Sequence, residues 1–158
     1  MKQSPALPAE FQLPGVRIGV IAARFNSAIV DGLLNGALDV LQRHGVRRAD
    51  IHVVYAPGAF ELPLAAQRMA ATKRYDALIA LGAVIRGATA HFEYVAGPCA
   101  TGLADVALRQ DIPIGFGVLT VDDERQAVER SGPDQHNKGG EAALAVLHMI
   151  KLLREISA

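Results

Sequence analysis

The 158-residue chain has little that would commit it to a disulfide framework, a membrane or a nucleic acid. Its single cysteine, Cys99, excludes an intramolecular disulfide and a thiolate-based metal site. It predicts instead a small, inert core side chain in a reducing compartment. There is no tryptophan and aromatic residues make up only 5%, so the core must be aliphatic. No apolar run approaches the ~18 residues that argue for a membrane-spanning helix. Neither sign of charge is in surplus, since 16 Lys and Arg balance 16 Asp and Glu. Nucleic-acid binders need excess cations to displace counterions from phosphates, and proteins held on anionic membranes need a polybasic patch. Both classes are therefore disfavoured. His44, His52, His91, His136 and His148 show no metal-ligand spacing, so no metal is expected.

A hydrophobic share of 51% with 20% charged residues excludes a disordered chain. That share is high for a lone monomer and points to a buried subunit interface. Arg outnumbers Lys by 12 to 4, which favours forked recognition of phosphate or carboxylate. Residues 1–15 contain Pro5, Pro8 and Pro14 and no apolar segment, and read as an extended arm rather than a targeting peptide. Residues 16–158 read as one domain, expected in the cytoplasm.

Within that domain strands and helices alternate. Short apolar runs at residues 17–23, 51–55, 77–85 and 114–120 suit strands buried on both faces. A helical period runs from Asn26 or Ser27 to His44, with Gly45 as its stop. Further helices are expected over 61–73, 93–110, about 123–130 and about 139–156. Alternation of this kind implies a parallel sheet with helices on both faces. Ligands of such sheets bind beyond the carboxyl ends of the strands. Chemistry should therefore sit in the loops at 24–26, 57–61, 83–92 and 120–123.

Three of these loops hold unusual residues. Phe25 could stack on a flat heterocycle, with Asn26 supplying a donor and an acceptor; equally, Asn26 could cap the helix with Phe25 packed beside it. Gly58 and Ala59 leave backbone open, and Glu61 suits either a helix N-terminus or the hydroxyls of a polyol. In the loop from Gly82 to Glu93, the backbone of Gly87, Ala88 and Thr89 can approach an anion at a helix start. His91 beside it is suited to moving protons near neutrality. Neither G-x-x-x-x-G-K-[ST] nor G-x-G-x-x-G is present, which argues against a nucleoside triphosphate or dinucleotide site. On pattern alone, Glu129-Arg130 reads as a helix end, and Asn137 to Gly140 as a solvated loop leading into the next helix.

Taken together, RFN (24–26), PGAFELP (57–63), GAVIRGATAHFEYV (82–95), FGVLT (116–120) and NKGGEAA (137–143) resemble the 6,7-dimethyl-8-ribityllumazine synthase family in order and spacing. The resemblance implies a three-layer, flavodoxin-like α/β fold with a four-stranded parallel sheet between helices. It implies a transferase of riboflavin biosynthesis that needs neither metal nor cofactor. Its substrates would be 5-amino-6-(D-ribitylamino)uracil and 3,4-dihydroxy-2-butanone 4-phosphate, giving the lumazine with release of phosphate and water. It also implies a homopentamer with active sites shared between neighbours. The short connection between Arg130 and Lys138 is compatible with a sixty-subunit icosahedral shell, and riboflavin synthase is an implied partner.

Carried over by position, the resemblance gives each residue a role. Phe25 stacks on the pyrimidine, while Ala59, Phe60 and Glu61 hold the ribitylaminouracil. Ala83, Val84 and Ile85 bond the uracil edge through their backbone. Gly87, Ala88 and Thr89 cradle the phosphate, and His91 transfers protons. From the adjacent subunit, Phe116 closes over the ring, Arg130 pairs with the phosphate and Lys138 reaches the heterocycle. Pro98, inside the third helix, departs from the family pattern, in a place that suits either the first turn or a bend. A flavin or nucleotide carrier on the same fold, and a shell protein without catalysis, are the competing readings.

Overall fold

The computed structural model describes residues 11–158. Four strands, β1 (Ile18–Ala23), β2 (Ile51–Ala56), β3 (Ala77–Ile85) and β4 (Ile114–Val121), form a parallel sheet in the order β2-β1-β3-β4. Ile18 is level with Ile51 on one side and Ala77 on the other, and Leu78 is level with Ile114. β1 and β3 are almost wholly buried, which is why they read as unbroken apolar runs rather than alternating ones.

Alternate side chains feed two separate cores. Ile18, Val20, Ala22, Ile79, Leu81 and Ala83 pack beneath α1 (Ser27–Arg43), α4 (Glu124–Ser131) and α5 (Lys138–Ser157). Ile21, Ala23, Leu78, Ala80 and Val84 pack beneath α2 (Leu62–Ala71) and α3 (His91–Gln110). This is the expected three-layer α/β architecture, with a flavodoxin-like strand order. On the first face, α1 meets the α4–α5 turn backbone to backbone. A Cβ on Gly139 would overlap the Leu33 carbonyl, and one on Gly32 the Ser131 carbonyl.

Several boundaries differ from the sequence expectation. α3 starts at His91 rather than 93, so that histidine is the first residue of a helix and not part of the loop. α2 is preceded by a 3-10 turn, Ala59–Glu61, and stops at Ala71, with Lys73 left-handed at φ 61°. Pro98 lies in the interior of α3, which continues through it with Pro98 on the exposed side. The end of the expected arm is docked: the Leu13 N–H donates to the His44 carbonyl at 2.9 Å and the Leu13 side chain is buried. Phe11 packs between His44 and His148, with centroid separations of 5.1 and 4.7 Å. The rest of the arm, residues 1–10, lies outside the described residues. No helix among those described is long and apolar enough to cross a membrane.

Candidate active site

The strand order reverses between β1 and β3, and the connections leaving their carboxyl ends diverge there. β1 is paired with β3 only as far as Ala22 with Leu81, whereas β3 stays paired with β4 as far as Ile85 with Val121. The backbone edge of Ala83, Val84 and Ile85 therefore extends past the end of β1. On the side facing β1, the Asn26 side-chain amide donates to the Ala83 carbonyl at 3.0 Å. Asn26 occupies the N-cap position of α1 in a left-handed conformation (φ 59°), yet its side chain does not cap the helix. It bridges two strand ends instead, a task that neither sequence reading of Asn26 contained.

The first two loops are laced together by backbone. Arg24 N–H donates to Ala56 O at 2.9 Å, and Phe25 N–H to Pro57 O at 3.1 Å. The Phe25 ring does not pack into a core; it is 72% exposed. It lies against Gly58, where a Cβ would come within 3.0 Å of the ring and 3.3 Å of the Glu61 carboxylate. The absent side chain thus lets an aromatic face and a carboxylate flank one patch. Ala59 is buried in the 3-10 turn, while Phe60 and Glu61 are exposed beside it.

Gly87, Ala88, Thr89 and Ala90 are all exposed and lead straight into α3. Ala90 stands at the N-cap and has no side chain able to cap. Glu93 N–H of the first turn donates to Ala90 O at 3.1 Å, and the positive end of the α3 dipole lies behind the exposed loop, which suits an anion. His91 N–H lies 3.4 Å from Thr89 Oγ1. At the root of the loop, Arg86 N–H continues the sheet by donating to Val121 O at 2.8 Å. Its guanidinium pairs with Glu93 in the first turn of α3 and, through Nε at 3.1 Å, with Asp122 after β4. Bonding to Arg86 holds the Glu93 carboxyl below its ordinary range. Sequence reasoning assigned Arg86, Glu93 and Asp122 nothing. The available signal was an arginine at a strand end with a glutamate seven residues on.

Three expected residues are not brought to this shelf. Phe116 is level with Ala80, three residues and about 10 Å before the row that contains Ala83. It is nearly half exposed on β4, a sheet edge. Arg130 is on α4, bonded to Gln126 O at 3.0 Å, and Lys138 opens α5 with its ammonium 2.8 Å from Glu141. Both helices cover the face of the sheet opposite to α3. Asn137, expected in a solvated loop, is buried. Its Oδ1 caps α5 by accepting from Gly140 N–H, and its Nδ2 donates to Gly32 O and Gly132 O, each at 2.9 Å.

A groove of about 1080 Å³ lies elsewhere, between α1 and the α4–α5 turn, and includes none of the strand-end residues. Phe25, Phe60, Glu61 and residues 86–91 of the strand-end surface are exposed. Among the described residues no group of three or more His, Cys, Asp or Glu could hold a metal ion. Cys99 is fully buried, and burial pushes its thiol up to about 11, far from a reactive thiolate. A family model described as 6,7-dimethyl-8-ribityllumazine synthase matches residues 15–154, a span that takes in the four strands and their loops. The chain belongs to the 6,7-dimethyl-8-ribityllumazine synthase family, transferases of riboflavin biosynthesis.

Proposed function

We propose that the protein condenses 5-amino-6-(D-ribitylamino)uracil with 3,4-dihydroxy-2-butanone 4-phosphate to give 6,7-dimethyl-8-ribityllumazine, phosphate and water. The observation that carries this reading is the juxtaposition of an exposed aromatic face, a free backbone edge and an uncapped helix start at one strand-end shelf. A pyrimidine stacked on Phe25 has its polar edge beside Ala83, Val84 and Ile85. Glu61, with Ala59 and Phe60, is placed for the ribityl chain. The phosphate of the second substrate would sit against the backbone of the exposed residues Gly87, Ala88 and Thr89, ahead of α3.

The chemistry follows from that placement. The substrate amine attacks the ketone and a first water leaves as the imine forms; phosphate is then eliminated, which unmasks a second carbonyl, and the ribityl-bearing nitrogen attacks that carbonyl and expels a second water to close the ring. Holding two substrates in register supplies much of the acceleration. His91, at the start of α3, relays protons between amine, carbonyl and leaving groups.

The working unit in this reading is a homopentamer, with the site divided between neighbours. Phe116, Arg130 and Lys138 are set away from their own shelf and are free to complete the next one. Tyr94 and Leu108 on α3, 73% and 84% exposed, supply apolar surface of the kind that subunit contacts cover. The short connection from Arg130 to Lys138 extends the proposal to a sixty-subunit shell, and sedimentation velocity at several pH values separates it from a five-subunit species. The chemistry is tested by mixing both substrates and following lumazine fluorescence with phosphate release. Equal amounts of lumazine and phosphate support the reading. Flavin binding without phosphate release would make the protein a carrier instead.

A further inference from the structure

We infer that Arg86 is a positioning residue for the phosphate cradle and His91, acting as a strut that fixes the loop between β3 and α3. This rests on the functional reading above. The loop is exposed from Arg86 to His91, and its small residues contribute no packing of their own. A Cβ on Gly87 would meet nothing within 4 Å, so neither packing nor a left-handed backbone holds the loop there. Yet a cradle of backbone N–H groups works only when those groups converge.

Arg86 supplies the missing constraint from one end. Its backbone is tied to β4 through Val121 O. Its guanidinium joins Glu93 and so closes the loop at the first turn of α3. Nε reaches Asp122 at 3.1 Å and anchors the closure to the end of β4. The same group lies 4.3 Å from the centroid of Phe92, whose ring packs against the α2–α3 core. One planar cation thus touches α3, the β4 terminus and a core-anchored ring at once, with the five residues 87–91 looped between its contacts.

These contacts are too solvent-exposed to matter much for folding, since exposed ion pairs contribute little. Their value is geometric. Lysine cannot reproduce it, because its compact ammonium has no planar fork to reach two carboxylates from separate nitrogens while packing against a ring. Asp122 also ties the strut to α4: its N–H donates to Gln126 Oε1 at 2.8 Å, and the Gln126 carbonyl accepts from Arg130.

The test compares Arg86→Lys, Glu93→Gln and Asp122→Asn with the full-length assembled protein. In Arg86→Lys, KM for the phosphate-bearing substrate should rise about 10- to 100-fold while that for the aminouracil stays within about twofold. Glu93→Gln and Asp122→Asn, each removing one arm of the strut, should show smaller rises in the same constant. The melting temperature should not move. An unchanged phosphate KM in folded Arg86→Lys, or a parallel rise in both constants, overturns the inference. If Arg86→Lys does not fold, an unchanged phosphate KM in both carboxylate variants overturns it. Line broadening of inorganic phosphate in ³¹P spectra separates this from the functional reading. Wild-type protein that forms no product, yet binds phosphate more tightly than Arg86→Lys, removes the reaction and keeps the strut. Product formation that Arg86→Lys leaves untouched does the reverse.

Discussion

The Asn26 side-chain amide spans from the end of β1 to the Ala83 carbonyl on β3, 3.0 Å away, and closes the point where the strand order reverses. That single bond joins the loop carrying Phe25 to the strand carrying the free backbone edge. Asn26 also holds φ 59°, a conformation that asparagine tolerates better than most residues. Asn26→Ala therefore loses a hydrogen bond and adds backbone strain, and should lower stability by about 1–3 kcal/mol. Asn26→Gly removes the bond but not the backbone fit, so it should cost less. Urea denaturation of the two variants measures the difference; equal losses would mean that the left-handed conformation is not strained in alanine.

His91→Ala should cut kcat by about 10²-fold or more while leaving measurable turnover, because two bound substrates remain in register without it. Steady-state kinetics on assembled protein decide this, and complete loss of activity in a correctly assembled variant would contradict a proton-relay role.

Much of this was legible beforehand. The alternation of apolar runs and helical stripes located every strand to within a residue at each end, because strands buried on both faces must be continuously apolar. The strand-end loops followed from the parallel sheet. The task of Asn26 was missed: capping and ligand contact were the two readings, and its bond to Ala83 depends on where β1 ends beside β3. His91 was placed two residues outside its helix because Ala90 carries no capping side chain to mark the start. The spacing of Arg86 and Glu93 hinted at a pair, but Asp122 could not be joined to it because that meeting depends on where β4 ends beside β3. Asn137 read as solvated for a similar reason, since Gly32 is far from it in sequence. The roles of Phe116, Arg130 and Lys138 could not come from this chain's residue pattern at all, and rest on resemblance.

Gly139 lies where α5 starts against α1, with no room for a side chain beside the Leu33 carbonyl. Gly139→Ala must push two helices apart, and should destabilise the fold by about 1–3 kcal/mol. Gly97→Ala, inside α3 with nothing near its Cβ, is the matched control for helix propensity. Thermal melting of both variants checks the contrast, and equal melting temperatures would count against close approach at Gly139.

His148 has its pKa lowered by burial first, then by the nearby charges of Lys151 and His44. Its Nε2 is buried without a hydrogen-bond partner among the described residues. The unfolded chain therefore takes up a proton near pH 6.5 while the folded one resists it. Stability should be full above that pH and fall as pH drops from there toward the lower folded value. His148→Gln, neutral throughout, should flatten this part of the profile. Scanning calorimetry between pH 8 and 5 gives the comparison; parallel curves for both proteins would place the acid sensitivity elsewhere.

In the proposed function, each chain supplies a shelf bearing His91 and completes a neighbour's shelf with Arg130. Refolding a one-to-one mixture of His91→Ala and Arg130→Ala subunits tests it most directly. If sites are shared, random assembly restores about one site in four to wild-type composition, and activity rises well above that of either variant alone. If both residues act within one chain, every site keeps a defect, and the mixture shows no more than the average of the two parents.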